Sequence, residues 1–125
     1  MAQPIRVLIA DDSARARDGL RALLSTWPEV EVVGEAANGQ DAVRLVTECR
    51  PDVVLMDLHM PAMDGVQATR LIKRGWSAAN VIVLTMYAAE QAAALAAGAD
   101  AFLIKGGDPE QLLATLRLVG AVGEA

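Results

Sequence analysis

The sequence predicts an α/β fold in which five parallel strands alternate with five helices. Short runs of β-branched and apolar residues recur along the chain, and stretches with helical spacing separate them. Gly, Pro, Asn and Asp stand between the two kinds of segment, as they do at the turns of such a sheet. The 125 residues, 54% hydrophobic and 22% charged, suffice for one well-cored domain but not for two.

Five runs are expected to form the strands, and three of them are apolar almost throughout. Continuous apolar strands belong at the centre of a parallel sheet, because helices cover both of its faces and neither face meets water. The pattern therefore predicts a doubly wound sheet. The predicted strands are residues 5–10, 30–35, 53–56, 81–84 and 101–104.

The helices are expected over residues 14–26, 40–48, from about 64, 88–97, and from 108 onward. The second follows the turn-forming pair Asn38-Gly39, and Gly98 ends the alanine-rich fourth. The fifth opens at Asp108-Pro109, a capping residue followed by proline at the first helical position. Residues 1–120 are predicted to form the domain, and 121–125 the start of a linker or tail.

Charge and composition exclude several classes of protein. A net charge of -5 argues against nucleic-acid binding by this domain, because that affinity depends on Lys and Arg. No apolar run approaches the ~20 residues of a membrane span, and the first strand follows directly without a secretory signal, so we expect a cytoplasmic protein. The single cysteine, Cys49, allows neither an internal disulfide nor a cysteine zinc site, and we expect it to be a buried apolar residue.

Polar side chains follow four of the predicted strands: Asp11, Asp12, Asp57, Thr85 and Lys105. The carboxyl ends of parallel strands meet at one edge of a sheet, so these five residues are expected to lie close together. Three adjacent carboxylates need a compensating cation, and oxygen-only ligands favour Mg²⁺. Each aspartate alone could be an ordinary turn former, but chance explains the whole set poorly.

This set of residues resembles the receiver domain of two-component response regulators. The likeness covers residues 5–119. The segment DLHMPAMDG, residues 57–65, is similar to the run that follows the family's phosphorylated aspartate. The segment GADAFLIK, residues 98–105, is similar to its fifth-strand signature, with the aromatic Phe102 three residues before Lys105. The following GGDP, residues 106–109, resembles the NarL/LuxR-type subfamily.

The resemblance implies a flavodoxin-like fold and a phosphoacceptor role for Asp57. A histidine kinase would supply the phosphoryl group, and Mg²⁺ would be required. The metal would lie against Asp12, Asp57 and the backbone carbonyl of His59, while Asp11 would hold a metal-bound water. The domain is then not an enzyme, because it catalyses only its own phosphorylation and dephosphorylation.

The resemblance also implies a switch. Lys105 would bind a phosphoryl oxygen, after pairing with Asp57 in the resting state. The hydroxyl of Thr85 would turn toward the phosphoryl group, and Phe102 would move inward, changing the surface formed by the fourth helix, fifth strand and fifth helix. Because Phe102 has no phenolic hydroxyl, it can couple only by packing.

Regulators of this subfamily carry a downstream helix-turn-helix domain that this sequence lacks. We therefore expect a piece of a longer transcription regulator or a single-domain regulator, and a homodimer that forms on phosphorylation.

Bulky residues lie beside the site and are expected to slow hydrolysis of the acyl phosphate, because they would hinder the approach of water. They are Met86, Tyr87 and His59. The alternative is that Met86 and Tyr87 point outward as partner contacts.

Other functions are compatible with parts of the pattern. Asp57-Leu58-His59 fits the start of a cobalamin-binding motif, and the two glycines at 106–107 also suit it, but Ala62 stands where that motif has glycine. A flavin-binding relative of the same fold would need backbone donors for phosphate after the first strand, and residues 11–13 are Asp-Asp-Ser. A haloacid-dehalogenase-type phosphatase would need an Asp-x-Asp pattern there. A receiver-like protein-binding module that is not phosphorylated is the remaining alternative.

Overall fold

The computed structural model of the protein describes residues 3–122. Within them, five strands form one parallel sheet and five α-helices connect and follow the strands, as predicted. The strands are β1 (Ile5–Ala10), β2 (Val30–Ala36), β3 (Val53–Asp57), β4 (Asn80–Thr85) and β5 (Ala101–Ile104). The helices are α1 (Ala14–Leu24), α2 (Gly39–Cys49), α3 (Gly65–Gly75), α4 (Gln91–Ala96) and α5 (Pro109–Val122).

The strand order is β2-β1-β3-β4-β5, and every neighbouring pair is parallel. After β2 the chain crosses back past β1 to form β3, so the loops that follow β1 and β3 lie side by side. In open parallel sheets the reversal of strand order opens a crevice at the carboxyl ends of the strands. The topology therefore places the crevice next to the predicted acidic residues.

Two apolar layers hold the sheet between the helices. Alternate residues of a strand point to opposite faces, so Leu8 and Met56 belong to the layer covered by α2, α3 and α4, and Ile9 and Leu55 to the layer covered by α1 and α5. Strand β3 is buried at all five of its residues. Full burial of one large aliphatic side chain contributes roughly 1.5–3 kcal/mol, so this central strand anchors the fold.

Helix α1 ends at Leu24, two residues before the predicted end. The hydroxyl of Ser25 donates to the carbonyl of Ala22, and the hydroxyl of Thr26 donates to the carbonyl of Leu23, each over 2.7 Å. Such local bonds compete with the helical hydrogen-bond pattern. The prediction that the first helix extends to residue 26 is therefore wrong by two residues.

The predicted fourth helix is divided into two parts. Residues 88–90 form a 3₁₀ turn, and α4 itself covers only Gln91–Ala96. No side chain caps the start of either part, and an uncapped first turn commonly tightens into 3₁₀ geometry. The alanine-rich sequence therefore forms a shorter α-helix than its composition predicts.

The predicted tail and the predicted burial of Cys49 differ from the structure in smaller ways. Helix α5 continues to Val122, so residues 121 and 122 of the predicted tail are helical, and residues 123–125 lie outside the described part. Cys49 is only partly buried, with Sγ 3.9 Å from the carbonyl oxygen of Val33, rather than enclosed in the core. None of the helices described has the length and hydropathy needed to cross a bilayer.

Candidate functional site

Three carboxylates meet at the carboxyl edge of the sheet. Asp11 and Asp12 follow β1, and Asp57 is the last residue of β3. One oxygen of each lies within 4.8 Å of the others. Asp11 and Asp57 are buried, whereas Asp12 is exposed to solvent. The cluster predicted from the strand ends is thus present, and one of its members faces water.

The turn after β1 fixes Asp11. Its Oδ1 accepts a hydrogen bond of 2.9 Å from the backbone N–H of Ser13. Ser13 is the N-cap of α1, and its hydroxyl oxygen accepts from the N–H of Ala16 at 3.1 Å. An aspartate turn and a serine cap are both strong local signals, so the sequence itself determines this loop.

Asp57 lies buried at the end of β3 with one hydrogen bond and one nearby cation. Its Oδ1 accepts a 3.3 Å hydrogen bond from the N–H of His59, and its Oδ2 lies 3.5 Å from Nζ of Lys105. Burial raises the pKa of Asp57 above its ordinary value, and the lysine and the N–H offset only part of that effect. The carboxylate is therefore poorly stabilised as an anion and gains from a nearby cation.

Lys105 lies closer to Asp11 than to Asp57. Its Nζ is 2.6 Å from Oδ2 of Asp11, so the expected resting pair with Asp57 is the longer of two contacts. Partial burial lowers the pKa of Lys105, but the hydrogen bond to Asp11 and the charge of Asp57 outweigh it, and the pKa lies above its usual value. The lysine is a fixed cation between two buried carboxylates.

The loop between β3 and α3 is held by close backbone contacts. A Cβ atom on Gly65 would lie 2.1 Å from the backbone oxygen of Asp57, and the N–H of Gly65 donates to the carbonyl of Leu58 over 3.0 Å. Asp64 caps α3 by accepting from the N–H of Gln67 at 2.9 Å. Only glycine allows this approach, so Gly65 sets the position of the Asp57 backbone.

Thr85 reaches the same edge, but its hydroxyl is already bound. The side chain is fully buried, and Oγ1 donates a 2.5 Å hydrogen bond to Oε1 of Glu90. Glu90 also pairs with His59, whose Nε2 lies 2.8 Å from Oε2. The sequence analysis did not single out Glu90. Its only signal is its position five residues after Thr85, where a solvated glutamate in a helix is an equally good interpretation.

The remaining predicted residues surround this edge. Phe102 is partly buried and packs against the apolar layer that α4 covers. Met86 and Tyr87 are 64% and 59% exposed, and the Tyr87 ring lies edge-on to His59 with centroids 5.6 Å apart. Their exposure favours the outward orientation over the shielding one.

A groove of about 350 Å³ opens between α1 and α5 beside Asp11 and Lys105. Most of its lining is apolar, including Leu20, Leu84 and Leu112. A phosphoryl group needs cations and hydrogen-bond donors, and Lys105 is the one cationic side chain in this lining. The groove therefore adjoins the acidic cluster and shares Asp11 and Lys105 with it.

Residues 7–117 match the family model described as the response regulator receiver domain. The chain belongs to this family. Receiver domains bind Mg²⁺ at a cluster of acidic residues and are phosphorylated by histidine kinases. The competing cobalamin, flavin and phosphatase interpretations are set aside by this match.

Relatives identify the LuxR/NarL type of receiver. The chain is 44% identical over 118 residues to an uncharacterized transcriptional regulatory protein, YhcZ, of Bacillus subtilis, covering 93% of this chain and 55% of that protein. It is 34% identical over 121 residues to the nitrate/nitrite response regulator protein NarL of Escherichia coli, covering 95% and 56%. The chain thus spans about half the length of the curated relatives it matches.

Solved structures give the same result. A two-component response regulator of the LuxR family from Aurantimonas superposes with a TM-score of 0.89 at 35% identity, covering 96% of this chain and 87% of that one. The response regulator domain of Thermotoga maritima CheB superposes with a TM-score of 0.88 at 32% identity, covering 95% and 98%. The fold and the family agree.

Proposed function

We propose that Asp57 of this receiver domain accepts a phosphoryl group from a histidine kinase in the presence of Mg²⁺. The observation that carries the proposal is the cluster itself: three carboxylates within 4.8 Å, with Lys105 2.6 Å and 3.5 Å from two of them. Because the phosphoryl group of such a kinase comes from ATP, we propose the cytoplasm as the place of transfer.

In the transfer, an oxygen of Asp57 attacks the phosphorus of the phosphohistidine. The phosphorus–nitrogen bond breaks, its electron pair stays on the imidazole, and the product is an acyl phosphate on Asp57. Reaction requires the ionised carboxylate, yet burial raises the pKa of Asp57. A cation at the cluster favours the ionised form and also offsets the charge of the incoming phosphoryl oxygens.

The donor set fits Mg²⁺, which prefers a few carboxylates and retains several waters. Asp12 and Asp57, with the backbone carbonyl of His59, would hold the ion, and the exposure of Asp12 leaves room for water. Asp11 accepts from Lys105 and Ser13, so an indirect role through a metal-bound water suits it. When bound, the ion would supply charge neutralisation and orientation.

Lys105 and Thr85 would bind the phosphoryl oxygens after transfer. The backbone N–H of Lys105 donates to the carbonyl of Thr85 over 2.8 Å, so a hydrogen bond joins the two strand ends. The phosphoryl group itself carries roughly -1.5 to -2 of charge, in place of the single charge of the carboxylate, and it attracts both donors. Phe102, packed beneath α4, would then transmit the movement to the surface of α4, β5 and α5.

Intact-mass measurement after incubation with a small phosphodonor tests the proposal. We expect the parent chain to gain one phosphoryl group with Mg²⁺ and none with chelator, and Asp57→Asn to gain none. Labelling of Asp57→Asn, or labelling that ignores the chelator, would overturn it. Lys105→Ala should retain some labelling but lose the phosphorylation-induced shift in the spectra of residues near Phe102.

We also propose that the phosphorylated domain self-associates. The support is its likeness to transcriptional regulators of the LuxR/NarL type, in which paired receivers would bring output domains together. With a net charge of -5, the domain itself is not expected to bind DNA. Sedimentation with Mg²⁺ and beryllofluoride should give a larger species than the unmodified chain, and an unchanged monomer would contradict this second proposal.

A further inference from the structure

The hydroxyl of Thr85 has a single proton, and Glu90 already receives it. The Oγ1···Oε1 distance of 2.5 Å is that of a charge-assisted hydrogen bond, which is stronger than one between neutral groups. The same oxygen accepts from the N–H of Tyr87 at 3.3 Å. Because the side chain is fully buried, water does not compete for this proton.

Glu90 is in turn held from the opposite loop. Its two oxygens lie 3.0 Å and 2.8 Å from Nε2 of His59, which follows β3. This contact ties the end of β4 to the loop that carries Asp57.

We propose that Glu90 is a positioning residue that holds the Thr85 hydroxyl in the resting arrangement and must release it before Thr85 can bind a phosphoryl oxygen on Asp57. The inference rests on the proposed function of Asp57. A hydroxyl can donate only once, so the two partners exclude each other. The negative charge of Glu90 also repels an incoming phosphoryl group, which assists release.

This arrangement predicts a coupling between Glu90 and Thr85 that is visible in the affinity for a phosphoryl mimic. Removing Glu90 frees the hydroxyl, so Glu90→Ala should bind beryllofluoride with Mg²⁺ about tenfold more tightly than the parent, within the usual range of coupling between two groups. Glu90→Gln keeps an acceptor for Thr85 and should show a smaller gain.

A simple loss of negative charge would also raise affinity for an anion, and two controls separate the effects. Glu110→Ala removes an exposed carboxylate from the first turn of α5 at the same edge and should change affinity by less than about twofold. In a Thr85→Ala background, Glu90→Ala should likewise change affinity by less than about twofold.

Isothermal titration with beryllofluoride and Mg²⁺ measures these affinities, and the Thr85 methyl resonance reports the side-chain position without the mimic. In Glu90→Ala that resonance should move toward its mimic-bound position. Equal affinity of Glu90→Ala and parent, or the same gain in the Thr85→Ala background, would overturn the inference while leaving the proposed function intact. A parent chain that does not bind the mimic would instead refute the proposed function and this inference with it.

Discussion

The ammonium nitrogen of Lys105 lies 2.6 Å from Oδ2 of Asp11, so the lysine already neutralises part of the negative charge that would attract a divalent cation. The contact joins the end of β5 to the loop after β1, across the width of β3 and β4. In the unphosphorylated domain, Lys105 and a bound Mg²⁺ ion would therefore compete for the same carboxylates.

Removing that internal cation should strengthen Mg²⁺ binding. A unit charge about 4 Å away is worth on the order of 1–4 kcal/mol between the dielectric of water and that of a protein surface, so we expect Lys105→Met to raise Mg²⁺ affinity by about tenfold. Arg117→Met removes a cation paired with Glu29 at the opposite edge of the sheet and should leave the affinity unchanged. Calorimetric titration of the two variants decides the point, and weaker binding by Lys105→Met would contradict it.

The buried carboxyl of Asp57 should destabilise the metal-free domain. Its folded-state pKa is raised, so the folded chain holds this proton more tightly than the unfolded chain does. The free energy of unfolding therefore decreases as the pH rises from below 3.8 through the raised pKa, and the cost is fully present above it. We expect Asp57→Asn to be more stable than the parent near neutral pH, by on the order of 1 kcal/mol.

Urea unfolding at several pH values measures this difference. The advantage of Asp57→Asn should shrink as the pH falls toward the ordinary value of an aspartic acid, whereas Asp18→Asn, at an exposed position of α1, should track the parent. Mg²⁺ at 100 times its Kd would stabilise the parent by about 2.7 kcal/mol, and it should stabilise Asp57→Asn by less. A variant less stable than the metal-free parent at neutral pH would show that burial of this carboxylate carries no cost.

Glycine is required at position 65. The added Cβ of Gly65→Ala would meet the backbone oxygen of Asp57 at 2.1 Å, and a backbone atom cannot move aside cheaply. We expect a loss of about 1–3 kcal/mol or more in unfolding free energy, together with weaker Mg²⁺ binding. Gly19→Ala is the matched control, because Gly19 lies exposed within α1 with open space around it and should gain about 0.5–1 kcal/mol. Equal stability of the two variants would mean that the loop relaxes freely.

Thr69 in α3 should be more stable as valine. Its hydroxyl is fully buried and has no hydrogen-bond partner among the described residues. Valine has nearly the same shape without the polar atom, so Thr69→Val should raise the unfolding free energy by about 1–3 kcal/mol. Thr115→Val removes a hydroxyl that donates to Gln111 over 2.8 Å and should cost about 0.5–1.5 kcal/mol. Thermal unfolding of both variants tests the sign, and a loss for Thr69→Val would refute the prediction.

The strands were predictable from sequence because a buried parallel strand requires an apolar run. The five predicted strands coincide with the observed ones to within one residue at each end, since Asp, Gly and Asn mark where the chain leaves the sheet. The meeting of Asp11, Asp12 and Asp57 followed from one topological rule about the ends of parallel strands. Their assigned roles remain predictions.

Side-chain choices within that framework could not be predicted. Glu90 lies where an alanine-rich helix was expected, and its turn toward Thr85 depends on the 3₁₀ geometry of residues 88–90, which composition does not specify. Lys105 has two carboxylates within reach, at 2.6 Å and 3.5 Å, and its preference for Asp11 depends on this small difference in distance. Spacing along the sequence cannot determine so small a difference. Hydrophobic periodicity determines which face of a helix or strand is buried. Contacts such as those of Glu90 and Lys105 depend instead on the rotamers of individual side chains.

The ion pair between Lys105 and Asp11 spans 94 positions of sequence. During synthesis the amino-terminal strands emerge first, so β1 and β3, with their three carboxylates, leave the ribosome before β5 supplies the lysine. A nascent chain that has formed only the earlier strands would therefore hold these carboxylates without the ammonium group of Lys105. The last strand to be translated is the one that supplies this edge with a cation of its own.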